Sequence, residues 1–290
     1  ARAKELTRTK PSLLEIAMPR LFGIFFNEKK AVLLSDQKVR EAIARAINKK
    51  EIVSSVALSG AAEAHSILPP GSIGYTSDVA SYPYDPGRSR ELLEEAGWKD
   101  KDEDGVREKS VSEKGKAKTM PLRLVLTTSD WPDLLKTADI IQKDLKEAGI
   151  EVAIEKYPFA KLESAVIRPR NFELLLFGEV YGYEPDPFAF WHSSQIKDPG
   201  LNIALYANKT ADRLLEEARR TADVAEQEKK YRELQKIIAK DLPAYFLYSQ
   251  LYLYAVPDDL KGLAISEISL PADRFNEVNK WHRRTTRGFR

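Results

Sequence analysis

The chain has 290 residues, 43% hydrophobic and 31% charged, enough apolar material to bury a sizeable core and too much for wholesale disorder. Its 46 basic and 44 acidic residues leave a formal charge of +2, too little for a general nucleic-acid or membrane-surface binder. With no cysteine there is no disulfide framework, thiolate metal site or cysteine nucleophile.

Val39, Ala42, Ile43, Ala46 and Ile47 recur at helical spacing and predict a first helix that Ser35 or Asp36 can cap. Asn48 with Glu51 reads as a capping box opening a second helix through Ile52, Val53 and Val56, which Gly60 would stop. A loop zone rich in Pro, Gly and Ser runs from His65 to Gly87, and Arg88–Gly97 reads as a short helix. Leu122, Leu124 and Leu126 then alternate as a strand. Asp130 can cap a helix carrying Leu134, Leu135, Ala138, Ile141 and Leu145, Gly149 ends it, and Ile150, Val152 and Ile154 give another strand. That order is a βαβ unit, which implies parallel pairing and a right-handed crossover. It repeats: a short helix over Phe159–Ile167 leads to Phe172–Phe177, a continuous apolar run of the kind buried on both faces. An aromatic loop, Tyr181–Trp191, precedes two helices at about Thr210–Ala222 and Val224–Lys240, and the runs Ala244–Tyr248 and Leu251–Val256 read as further strands.

No stretch approaches the ~18 consecutive apolar residues of a membrane span. The opening ARAKELTRTK supplies no secretory signal and no methionine, as expected of a processed product or an excised piece of a longer protein. Lys280, Arg283, Arg284, Arg287 and Arg290, with no acid among them, carry the small basic excess.

Catalytic patterns are mostly absent: there is no phosphate-cradling G-x-x-x-x-G-K-[ST], no G-x-G-x-x-G after a strand, no G-x-S-x-G and no H-E-x-x-H. Ser35 and Lys38 stand at the spacing that places a lysine one helical turn from a serine nucleophile, although a serine at a helix start is first of all a cap. They define the one hydrolase alternative. Asp100, Asp102 and Asp104 before Gly105 reproduce the first half of a calcium loop, but Val111 stands where the bidentate acid is needed, so a solvated acidic turn accounts for them better. The aromatic loop is different. From Phe177 to Pro187 it carries Tyr181, Tyr183, Glu179 and Glu184 between glycines and prolines, directly after the buried strand, and ligands of open α/β sheets bind beyond strand carboxyl ends. Tyrosines would supply stacking area with a hydroxyl, and glutamates an anchor for a cation. A loop whose aromatics simply cap the core is the competing reading.

Phe25-Phe26-Asn27, followed by the segment from Leu34 through Val39-Arg40, Ala46-Ile47-Asn48 and Ile52-Val53, resembles the "fN … pl.D.rVR.Ai..AiDr..iv" stretch of the family 5 extracellular solute-binding proteins, which deliver peptides or nickel to ABC transporters. Leu68-Pro69-Pro70, Tyr84-Asp85-Pro86, Ala96-Gly97-Trp98, Asp104-Gly105, Asp186-Pro187, Asp212–Ala218 and Leu242–Tyr248 agree with the same family in order. The resemblance implies an α/β, periplasmic-binding-protein type II-like lobe with a mixed, largely parallel sheet flanked by helices. It further implies a two-lobed clamp hinged by crossing strands, of which this chain is the C-terminal half: 1–26 a hinge-side segment of the first lobe, 27–262 the second, ligand-binding lobe, and 263–290 a return to the first. Alone, such a half should fold but bind cargo weakly or not at all.

The family implies no enzyme and no cofactor. It implies a peptide or other small solute as cargo, ABC transporter permease subunits as partners, a monomer outside the cytoplasm, and membrane contact only through the transporter or an N-terminal anchor. Peptide-binding members often read "W..DY.DP" after the buried strand. Asp186-Pro187 keeps the end of that motif, no tryptophan precedes it, and glycine or tyrosine stands at the acid's position. The expected cargo contacts are therefore Tyr181, Tyr183 and Glu184, with Glu179 and Trp131 beside them. The remaining alternative is a non-transport module that kept the fold and lost its cargo.

Overall fold

Alternation along one strand sets the layers. In β1, Pro11–Phe26, Leu21 and Phe25 point into one core while Phe22, Ile24 and Phe26 point into another, so the strand is sandwiched from both sides. The computed structural model describes residues 11–56, 60–113, 116–182, 186–265 and 267–283. Seven more strands follow: β2 Ala61–Glu63, β3 Glu108–Glu113, β4 Lys116–Pro121, β5 Arg123–Ser129, β6 Glu151–Tyr157, β7 Leu174–Val180 and β8 Ala244–Pro257. Six form one sheet in the order β2-β8-β1-β7-β5-β6, and β3 with β4 makes a separate hairpin.

One layer contains α1 Gln37–Ala46, α2 Lys49–Val56, α3 Pro86–Glu95 and α4 Pro132–Glu147. Their buried faces, among them Val39, Ile43, Ile52, Leu92, Leu134, Ile141 and Leu145, close over Ile24, Leu124, Leu126 and Leu176 of the sheet. The opposite layer holds α5 Phe159–Leu162, α6 Phe188–Trp191, α7 Lys209–Arg220 and α8 Val224–Asp241. There Trp191, Leu215, Leu234 and Ile238 pack with Phe25, Leu175 and Phe246. The sheet is mixed, as expected, but not largely parallel, because β1 and β8 enter it as long antiparallel partners. Its parallel part is confined to β6-β5-β7, built by the anticipated βαβ unit, whereas β7-β1, β1-β8 and β8-β2 are antiparallel.

Several elements differ from their sequence reading. Ala244–Tyr248 and Leu251–Val256 belong to one continuous strand, because the polar Ser249 and Gln250 between them pair with Ala62 and Ala61. Trp131, not Asp130, occupies the N-cap of α4, whose first helical residue is Pro132. The turn into α1 is capped by Asp36, whose carboxylate accepts from the Lys38 amide at 2.9 Å. At the exit from β1, Phe25 and Phe26 are fully buried, and the Asn27 amide donates to the Glu173 carbonyl oxygen at 2.9 Å.

Between Ala17 and Leu21 the β1–β8 register shifts, at the point where Pro19 lacks an amide to donate. Before it, Pro11–Ala17 and Leu251–Pro257 form a two-stranded ribbon. Ile16, Met18 and Ile268 make a small third cluster on that ribbon, clasped by residues 267–283 through Trp281 against Tyr254 and Phe275.

The resemblance-bearing residues hold joints together. Asn27 Oδ1 accepts from the Lys29 and Lys30 amides while its Nδ2 donates to Arg170 O, locking the exit from β1. Buried Arg40 donates to the carbonyl oxygens of Leu34, Asp241 and Leu242, fastening α1 to the C-terminal end of α8. Phe25→Ala should destabilise the fold by about 3–5 kcal/mol through the cavity it leaves beneath both neighbouring strands. Urea denaturation measures this, and a loss below about 1 kcal/mol would remove β1 from the core.

Candidate ligand site at the carboxyl edge

Parallel β5, β6 and β7 end on the same edge of the sheet. Just beyond β5, Trp131 is 54% exposed, and just beyond β6, Phe159 is 60% exposed. Neither is needed to close the core, and both are fixed from behind: Trp131 lies edge-on to Phe22 at 6.5 Å between centroids, and Phe159 stacks on Phe177 at 6.1 Å. Phe22 in turn stacks on Tyr248 at 4.9 Å. Gly178 makes this possible, because a Cβ there would come within 2.7 Å of the Phe22 ring.

Arg20 completes the edge. It stands opposite Val180 across the β1–β7 pair and donates to Gln250 Oε1 at 3.1 Å. Trp131, Phe22, Tyr248, Gln250 and Asp133 also line a notch of about 30 Å³, room for a water-sized group. The edge therefore offers two exposed aromatic faces, a cation and an amide, which suits an extended chain carrying both polar backbone and side chains.

The five expected contact residues divide three ways. Trp131 is on the rim. Glu179 and Tyr181 are each only 2% exposed and face the layer of α6–α8 rather than solvent. Alternation explains this: in β7 the positions that share a face with Leu175 and Phe177 point inward, and Val180 takes the exposed side. Tyr183 and Glu184 lie outside the described residues.

Glu179 and Tyr181 form a buried polar pair behind the edge. The Tyr181 hydroxyl donates to Ile67 O at 2.6 Å and lies 3.1 Å from Glu179 Oε2, with Trp191 Nε1 donating to it at 3.4 Å. Burial pushes the Glu179 carboxyl up to about 8, so it is protonated at neutral pH, and burial likewise raises the tyrosine. Since the one tyrosine proton is committed to Ile67, the acid proton of Glu179 serves the contact between them. Among the described residues Glu179 Oε1 has no partner.

Asp186 is structural as well: it caps α6 through the Phe188 amide at 3.0 Å and pairs with Arg219, whose guanidinium lies 3.7 Å over the Phe188 ring. Ser35 Oγ donates to Val32 O at 2.7 Å while Lys38 Nζ pairs with Glu95 at 2.9 Å, so neither is turned toward the other as nucleophile and base. Among the described residues one carboxylate group could hold a metal. It combines Asp100 and Asp102 with Glu108 rather than Asp104, which instead accepts from the Val106 amide. The sequence reading missed Arg20, Phe22 and Gln250. The signal was a single cation interrupting the apolar run Ile16–Phe26.

Residues 3–200 match the family model described as "Bacterial extracellular solute-binding proteins, family 5 Middle". The chain belongs to this family. It is 33% identical over 261 residues to the oligopeptide-binding protein AppA of Bacillus subtilis, an alignment covering 89% of this chain and 46% of AppA. It is 30% identical over 239 residues to the peptide transport periplasmic protein SapA of Salmonella typhimurium, covering 80% of this chain and 40% of SapA. The solved structure of Bacillus subtilis AppA in complex with a nonapeptide superposes with a TM-score of 0.77 at 29% identity, over 98% of this chain and 54% of that one. The chain thus spans about half the length of the relatives it matches. Among the described residues no helix is long and apolar enough to cross a membrane.

The raised Glu179 carboxyl has a stability signature. Its folded value lies above the ordinary carboxylate range, so the stability it lends is full below about 4.5 and is lost as pH rises through about 8. Glu179→Gln keeps a donor to Tyr181 and removes the titration. The stability of the variant minus that of the parent should rise by a few kcal/mol, on the order of 2–4, between about pH 5 and pH 8.5, as read by chemical denaturation. A difference that does not change with pH would mean that Glu179 is ionised in the fold.

Proposed function

We propose that this chain is the cargo-facing, C-terminal lobe of the substrate-binding component of an ABC importer, and that the cargo is a peptide or a similar small solute held between this lobe and another. The observation that carries the reading is the rim at the carboxyl edge, where Trp131 and Phe159 stand exposed on a rigid aromatic backing beside Arg20. Family membership supports it, as does the likeness to AppA, whose solved complex contains a nonapeptide.

In this reading Trp131 and Phe159 stack on cargo side chains and Arg20 meets a cargo carboxylate or carbonyl. Tyr183 and Glu184 are retained as cargo contacts on their sequence position alone. Glu179 and Tyr181 act from behind, pinning the end of β7 to Ile67 and Trp191 so that the following loop starts from a fixed place. The ribbon of Pro11–Ala17 with Leu251–Pro257 serves as the hinge, and 263–290 is the return segment to the other lobe. The proposed partners are the permease subunits, with no nucleic acid. The protein is a monomer outside the cytoplasm, and it reaches the membrane only through its transporter or an N-terminal anchor. It has no enzymatic step and no cofactor.

Peptide titrations on the full-length protein test this. A bound peptide should compact the molecule in small-angle scattering, and Trp131→Ala should weaken peptide binding by about tenfold to a hundredfold while leaving the melting temperature nearly unchanged. A peptide library that produces neither binding nor compaction would overturn the reading.

A further inference from the structure

A roomier cavity lies away from the rim. About 490 Å³ in volume, it opens where the start of α2, the end of α8 and the start of β8 meet the loop after β2. Ala244 and Phe25 are paired at that end of the sheet, whereas Arg20 and Val180 mark the carboxyl edge. Five residues of extended β1 separate the two, roughly 17 Å at ~3.3 Å per residue. The cavity cannot share a ligand with the rim unless that ligand crosses the packed sheet.

Its walls are aromatic and fixed. The Tyr245 hydroxyl donates to Tyr82 O at 3.0 Å, and the Tyr82 hydroxyl donates to Ala239 O at 3.0 Å. Phe246 and Ile238 add apolar surface. Lys49 supplies the charge: its ammonium donates to Ala64 O at 2.9 Å and lies 4.1 Å above the Tyr245 ring. It forms no ion pair with a described carboxylate; Glu63 acts on it at longer range, and exposed His65 stands nearby. A desolvated ammonium supported by one carbonyl and one ring face retains unspent donor capacity toward the cavity.

We propose that this cavity is a second ligand site, taking a small monocarboxylate with a flat apolar body, the carboxylate on Lys49 and the body against Tyr82, Tyr245 and Phe246. The volume is within the range of small-molecule sites. The charge count selects a monoanion: one ammonium with a glutamate behind it does not balance a phosphate dianion. Burial lowers Lys49 to about 7, and a bound carboxylate would restore its charged form. Glu63 opposes the anion, so removing its charge favours the ligand.

The test is titration of the whole chain with phenylacetate and indole-3-acetate, against phenylacetamide and phenethylamine, followed by amide chemical shifts. At least one of the two acids should bind with a submillimolar to millimolar Kd, shifting the amides of Asn48, Lys49, Ser66 and Tyr245. Its neutral or cationic counterpart should bind about tenfold more weakly or worse. Lys49→Met should cost about tenfold in acid affinity, and Glu63→Gln should improve it severalfold. Equal binding of phenylacetamide, preference for phenethylamine, shifts confined to Arg20 and Trp131, or no saturable binding of either acid by about 10 mM would each overturn the proposal. The ligand series on the parent chain decides the matter even if the Lys49 variant does not fold, and none of these results depends on whether the rim binds peptides.

Discussion

Everything in this molecule depends on β1 being hydrogen-bonded on both sides. Its second half, Leu21–Phe26, lies between β7 and β8 in the middle of the six-stranded sheet, and its side chains enter the cores on both faces. This strand joins the parallel βαβ unit to the antiparallel half; without it the two halves would share no continuous ladder. Burial on both faces leaves only apolar or glycine residues acceptable there, and Leu21 to Phe26 obeys that limit.

The same strand then does something different. At Met18–Arg20, where proline cannot donate, the ladder with β8 slips, and the chain before it runs out as a ribbon carrying its own small cluster of Ile16, Met18 and Ile268. Segments from opposite ends of the sequence meet on this ribbon, where Ala17 bridges Glu267, and the C-terminal segment folds back on itself where Lys261 bridges His282. Arg20, at the end of the slip, brings a cation to the carboxyl edge beside Gln250. The geometry of the rim and the geometry of the ribbon are therefore two consequences of one break. Behind the rim, the pair of Glu179 and Tyr181 fixes the end of β7 by hydrogen bonding in a dry layer, where a protonated carboxyl is cheaper than an ionised one.

Much of the fold was legible because the periods were strong. The βαβ unit from Leu122 to Ile154, the helices around Val39–Ile47 and Thr210–Lys240, and the buried run before Phe177 all appear with ends shifted by a few residues. What escaped was long range. β1 reads as an apolar stretch without a partner until β7 and β8, more than 140 residues later in sequence, are in place. β3 and β4 carry too few apolar residues to alternate visibly. At the candidate site, sequence position pointed to the carboxyl edge but not to the facing of its side chains. Glu179 and Tyr181 were expected at the surface, and the two-residue repeat of β7 turns both inward. Asn27 and Arg40 spend their hydrogen bonds on backbone joints and Asp186 divides its own between the Phe188 amide and Arg219, so the clearest sequence signal described the scaffold rather than the contacts.

Amide hydrogen exchange along β1 tests the central claim most directly. If Leu21–Phe26 is the spine of the sheet and the chain before Pro19 a separate ribbon, the Phe22–Phe26 amides should exchange only with global unfolding. Those of Leu13–Ala17 should exchange at least about a hundredfold faster, through local opening. Equal protection across the slip at Met18–Arg20, or fast exchange at Ile24 and Phe25, would contradict the account.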